Sequence, residues 1–192
     1  MAELGAGSDK RMSSLSQGQL PLQVRLRDEA TVDNFLATPA LKPLLGALQS
    51  QAAGSGEAII YLHGPRGAGK SHLLQASCHL AGGDAQYLPL AELGDYAAQD
   101  VLQGMESLQL VCLDDIHQVL GREDWELALF NLYNRARERG CGLLVAAEAA
   151  PRGLSLGLED LRSRLAWGSV FQLNPASDEE KVAILRFRAS RR

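Results

Sequence analysis

The sequence predicts an α/β fold in which a parallel sheet carries helices on both faces. Three observations predict it. Short β-rich apolar runs alternate with helical stretches along the chain. The runs are apolar at consecutive positions, as in strands covered on both sides. A glycine-rich loop joins the first run directly to a helix, as in a β-α unit. The 192 residues suffice for one compact domain or one domain with a small appendage.

The elements follow in order. Residues 1–18, MAELGAGSDKRMSSLSQG, lack the continuous apolar stretch of an export signal and read as a disordered leader. QGQLPLQV follows, Gln17 to Val24. Its two leucines are too few to start a core and Pro21 stops a helix, so by itself it reads as an edge strand or a linker. From Thr31 to Ala53 the pattern is mostly helical, with Leu41, Leu44, Leu45 and Leu48 at spacings of three and four. Pro39 and Pro43 make its first part irregular. Gly54-Ser55-Gly56 is a turn. AIIYLHG (58–64) is a buried strand, and KSHLLQASCHLA (70–81) a helix ended by Gly82-Gly83.

QYLPL (86–90) predicts a short strand, 91–105 a helix, and LQLVCLDDI (108–116) an apolar strand ending in acids. The next helix, REDWELALFNLYNRARERG, places Leu127, Phe130 and Leu132 near its core face and stops at Gly140. GLLVAA (142–147) is a buried strand, LEDLRSRLA (158–166) a short helix and VFQLN (170–174) a strand. A final helix runs from SDEEK onward, with Ser177 or Asp178 as its N-cap. There is no internal repeat.

Composition narrows the function classes. Residues are 46% hydrophobic and 22% charged, enough for an ordinary core. No apolar run reaches the ~18 residues of a membrane span. A net charge of -4 argues against a duplex-DNA binder working through bulk electrostatics. Cys78, Cys112 and Cys141 are odd in number and form no CxxC pair, which suggests buried thiols in a reducing cytoplasm, with neither a disulfide framework nor a zinc site.

GPRGAGKS, Gly64 to Ser71, fits G-x-x-x-x-G-K-[ST] in full, with a strand before it and a helix after it. Gly64, Gly67 and Gly69 allow a backbone whose N–H groups curl around a phosphate. The helix start near Lys70 adds its positive end. Lys70 can reach the β- and γ-phosphates of ATP, and the Ser71 hydroxyl can ligate Mg²⁺. The expected nucleotide contacts are Gly64, Pro65, Arg66, Gly67, Ala68, Gly69, Lys70, Ser71 and His72, for ADP or ATP. The acid expected at the end of another strand is Asp114, holding Mg²⁺ directly or through water, with Asp115 orienting an attacking water. Hydrolysis is expected to be slow. Asp115 is one methylene shorter than the glutamate many such ATPases use, and Ala146 and Ala147 offer no polar group to the γ-phosphate. Glu148 offers only a repelling charge.

GKSHLLQA (69–76), VCLDDIHQVLG (111–121), LFNLYNRARERG (129–140) and LRSRLAWG (161–168) together resemble the AAA+ replication-initiator family, and within it the DnaA-homologous regulators that inactivate DnaA. The resemblance covers about residues 19–192, and the ordered set of four segments is specific where the phosphate loop alone is generic. It implies a P-loop AAA+ core with sheet order 5-1-4-3-2 over 25–176, ADP or ATP with Mg²⁺, and location in the cytoplasm beside the nucleoid. It also implies two partners, the DNA polymerase sliding clamp and DnaA, and leaves self-association open. Clamp-binding peptides begin with glutamine followed by spaced leucines, so the resemblance assigns 19–24 to the clamp. Gln19 would fill a polar pocket, Leu20 and Leu22 an apolar cleft, and Pro21 would limit the freedom lost on binding. Gln23 departs from longer versions of that peptide.

Leu158, Leu161 and Leu165 form an apolar stripe, which puts Arg162 and Arg164 on its opposite flanks. Arg164 matches the family's S-R-L-x-W-G arginine, the finger that enters a neighbouring subunit's nucleotide site. Its promotion of ATP hydrolysis on DnaA would prevent re-initiation. The family's helical lid would begin at 177–192 and is truncated here, so a second-sensor arginine is not assigned among Arg186, Arg188, Arg191 and Arg192. The alternative is an active AAA+ ATPase that loads helicase or remodels DNA-bound proteins. No sequence-specific DNA-binding segment is expected. The four histidines are expected in ordinary packing or hydrogen bonds, and Trp125 and Trp167 in packing.

Overall fold

The computed structural model describes residues 26–35, 38–175 and 177–189. The leader and the Gln19, Leu20, Pro21, Leu22 peptide lie outside the described residues. Five strands, β1 (Ile59–His63), β2 (Ala85–Pro89), β3 (Leu110–Asp114), β4 (Gly142–Ala147) and β5 (Ser169–Gln172), form one sheet in the order β2-β3-β4-β1-β5. Every neighbouring pair is parallel. This is the 5-1-4-3-2 order the resemblance implies.

The doubly apolar strands explain the layering. Along β1, Ile59 and Tyr61 enter one core while Ile60 and Leu62 enter the other; β4 divides Leu143 and Val145 from Leu144 and Ala146 in the same way. Period-two alternation of direction with no polar alternation demands cover on both faces. On one face lie α1 (Lys42–Ala52) and α2 (Lys70–Ala81), through Leu44, Leu48, Leu73, Leu74 and Cys78. On the other lie α3 (Leu90–Leu93), α4 (Ala98–Leu102), α5 (Glu123–Arg139) and α6 (Glu159–Leu165). The three cysteines are buried and free. A last helix, α7 (Asp178–Ala189), starts immediately after Ser177.

Three expectations change. The stretch 91–105 is two short helices and a 3-10 turn, because Gly94 caps α3 and Gly104 takes φ 76°. Leu127 is 51% exposed; the buried stripe of α5 runs through Trp125, Ala128, Leu129, Leu132, Tyr133 and Ala136 instead. Trp125 is fully buried, as expected, but Trp167 is 64% exposed. Among the described residues no helix is long and apolar enough to cross a membrane.

Candidate functional site

The loop Gly64–Gly69 leaves the end of β1 and enters α2. Gly64 adopts φ 152°, and a Cβ there would stand 2.1 Å from the Leu173 carbonyl oxygen, so no other residue fits. Gly69, at φ 95°, caps α2 in the left-handed region. Lys70 is 5% exposed and its Nζ donates to the Gly64 carbonyl at 2.6 Å and the Pro65 carbonyl at 3.0 Å. Arg66, Gly67 and Ser71 are exposed, and Ala68 is half-buried. Burial, and then the Lys70 charge, lower the pKa of neighbouring His63.

Residues 26–35 run along the exposed side of α2. His72 Nε2 meets the Thr31 carbonyl at 2.9 Å, the Arg27 N–H donates to Gln75 Oε1 at 3.0 Å, and His79 Nε2 meets the Arg27 carbonyl at 3.1 Å. Positions 72, 75 and 79 share one helix face, so a single polar stripe fixes the entering chain beside the glycine loop. The Phe35 ring lies 5.6 Å from that of His72. His72 and His79 thus make ordinary hydrogen bonds, as expected.

Asp114 ends β3 and is 2% exposed. Its Oδ2 accepts the Tyr87 hydroxyl at 2.7 Å and its Oδ1 accepts the Asp115 N–H at 3.0 Å. Asp115 sits at φ 52°, ψ 43°, the only left-handed non-glycine among the described residues. Burial, then the Asp114 charge, raises its pKa, while His117 and Lys70 pull it down and Glu148 pushes it up. Lys70, Asp114, Asp115 and Glu148 therefore converge, although β4 separates β3 from β1. The His117 imidazole lies 3.6 Å from Glu148.

The donor set fits a nucleotide and Mg²⁺. The glycine cradle is sterically obligatory, the ammonium sits at its base, and Ser71 and Asp114 supply hard oxygens. Among the described residues no cluster of three or more His, Cys, Asp or Glu forms a metal cage.

A second region lies on α6. Arg162 binds Glu159 with Nε at 3.0 Å and Nη2 at 3.1 Å, and donates to the carbonyls of Arg152, Leu154 and Leu156. It is a brace for the loop before the helix. Arg164 is different. Its guanidinium lies 4.8 Å from the Phe130 ring, 5.3 Å from Tyr133 and 5.9 Å from Trp167, and no carboxylate pairs with it among the described residues. Its Nε is buried without an acceptor. Arg137 sits 5.3 Å over the same indole.

Glu126 on α5 anchors this region. It is 4% exposed and accepts N–H bonds from Gly121, Gly157 and Leu158, the last two entering α6. Neither Glu126 nor Tyr87 stands out in the sequence. Gly157 and Leu158 lie 31 and 32 positions from Glu126, and Asp114 lies 27 from Tyr87, so no local spacing announces these pairs.

No family model matches the chain. An uncharacterized protein of Haemophilus influenzae is 39% identical over 178 residues, 91% of this chain and 76% of that protein. The chain belongs to that protein's family. Among solved structures, AMPPCP-bound DnaA from Aquifex aeolicus matches with TM-score 0.74 and 20% identity over 87% of this chain and 56% of that one. Domain III of the Thermotoga maritima replication initiation protein DnaA matches with TM-score 0.73 and 22% identity over 86% and 75%. The chain thus spans little more than half the length of the longer initiator. The fold is that of the DnaA-like AAA+ core.

Proposed function

We propose that the chain is a nucleotide-bound AAA+ regulator of chromosome replication initiation, of the Hda type, which inactivates DnaA. Residues 19–24 tether it to the DNA-loaded sliding clamp. The glycine loop with Lys70 holds ADP or ATP, Ser71 and Asp114 hold Mg²⁺, and Arg164 acts in trans on ATP bound to DnaA. When bound, the nucleotide and metal supply a fixed polyanion that shapes the module.

The observation that carries this reading is the state of Arg164. A structural arginine is consumed by acceptors, as Arg162 is. Arg164 rests on three aromatic rings with no carboxylate among the described residues. A cation–π contact is worth about 0.5–2 kcal/mol, whereas each charge-assisted hydrogen bond to phosphate contributes about 1.5–3 kcal/mol. The rings thus hold the guanidinium in place without outcompeting an incoming phosphate. Fingers of this kind contribute on the order of 10³–10⁵ in rate.

Own turnover is disfavoured by the surroundings of Asp115. Ala146 and Ala147 are buried and apolar, and Glu148 faces His117. The test is hydrolysis of DnaA-bound ATP with and without clamp on DNA. Wild type should accelerate it only with clamp. Arg164→Ala should lose the acceleration with fold and nucleotide binding intact, and Gln19→Ala/Leu20→Ala/Leu22→Ala should lose the clamp dependence. Full stimulation by Arg164→Ala refutes the role.

A further inference from the structure

Tyr87 sits on β2 at the sheet edge, two residues before Pro89, the register partner of Asp114. Its ring is 7% exposed within the α1–α2 core. Its hydroxyl is the only side-chain donor to Asp114 among the described residues.

The direction of this bond is fixed by chemistry. An ionised carboxylate only accepts, so the single phenolic proton goes to Asp114.

We propose that Tyr87 is the positioning residue of the Mg²⁺ site, its hydroxyl fixing the plane of the Asp114 carboxylate. This rests on the nucleotide–Mg²⁺ reading above. A carboxylate this deeply buried needs hydrogen-bond donors in place of the lost water. It has two such donors, one on each oxygen: Tyr87 and the Asp115 N–H. With both in place the carboxylate cannot rotate, and its remaining lone pairs keep a fixed direction. Mg²⁺ demands near-ideal octahedral geometry, so orientation of a single protein oxygen matters to affinity.

Tyr87→Phe removes the hydroxyl and keeps the ring. The assay is the dissociation constant for ADP in Mg²⁺ and in EDTA, together with Mn²⁺ binding to the protein–ADP complex followed by the loss of the free Mn²⁺ resonance. Affinity in EDTA should stay within about twofold of wild type, while the gain from Mg²⁺ and the affinity for Mn²⁺ fall by about tenfold, the effect of one charge-assisted hydrogen bond. Where Tyr87→Phe melts too low, the same constants are measured below its melting transition, with circular dichroism checking that the variant is folded there, and the same tenfold fall is expected. A purely structural hydroxyl would lower the melting temperature and leave the Mg²⁺ gain and Mn²⁺ affinity at wild-type values; that result overturns the proposal. Wild type that binds no ADP or ATP under either condition overturns the nucleotide reading, and this inference with it.

Discussion

Replacing Glu126 tests how the arginine-bearing helix is held. The carboxylate accepts N–H groups from Gly121 at 2.7 Å, Gly157 at 3.0 and 3.1 Å, and Leu158 at 2.8 Å. A hydrogen bond to a charged group contributes about 1.5–3 kcal/mol. Gly121 and Gly157 are exposed residues, so their N–H groups regain water once the carboxylate is gone. The loss per bond then falls to about 1–1.5 kcal/mol, giving about 3–4 kcal/mol for Glu126→Ala. An amide retains one accepting oxygen and should lose about 1–2 kcal/mol. For a domain of this size each kcal/mol shifts the midpoint by about 2–4 °C, so Glu126→Ala should melt roughly 6–15 °C lower. Urea and thermal unfolding followed by circular dichroism measure both variants. Glu126→Ala within about 1 kcal/mol of wild type, or Glu126→Gln as damaging as Glu126→Ala, would refute the claim that these three bonds anchor α6.

Three further outcomes follow from the geometry. Arg162→Ala should destabilise by about 1–3 kcal/mol because it frees Glu159 and three loop carbonyls, whereas Arg164→Ala should change stability by less than about 1 kcal/mol; urea midpoints decide. Gly64→Ala should fail to fold or lose more than about 3 kcal/mol, since its Cβ has no room beside the Leu173 carbonyl; limited proteolysis measures this. Asp115→Asn should stabilise the nucleotide-free protein in EDTA at pH 7. The raised pKa means the folded state favours the neutral acid, so stability falls as pH rises from the ordinary aspartate value through the raised one. Asn lacks this loss and tolerates φ 52°. Melting curves should therefore show a gain at neutral pH that shrinks below the ordinary aspartate pKa, and an equal gain at both pH values would contradict the burial argument.

The sheet and the glycine loop were legible because their causes are local. Ile59–Leu62 and Leu143–Ala146 are apolar at every position, which only a strand packed on both faces requires. Gly64 to Ser71 carries its own spacing. The motif distinguishes Arg164 from Arg162, though it could not reveal that Arg162 is consumed as a brace. The aromatic seat comes from Phe130 and Tyr133 on a helix about thirty positions earlier. Leu127 was misread because its size suggested the core, while the true stripe uses the smaller Ala128 and Ala136. The region 91–105 misled because Gly94 and Gly104 interrupt a composition that otherwise suits a continuous helix. Tyr87, Gln75 and Glu126 matter through partners that only the folded chain brings near, so periodicity and motif spacing carry no trace of them.

The most direct measurement separates the two nucleotides. The chain is loaded with a non-hydrolysable ATP analogue and mixed with DnaA carrying labelled ATP on clamp-loaded DNA, so that any phosphate released comes from DnaA. Release in a single turnover should be as fast as with ADP-loaded wild type, and at least about 10³-fold slower with Arg164→Ala. Stimulation that vanishes with the analogue, or survives the loss of Arg164, would contradict an arginine acting on a partner's triphosphate.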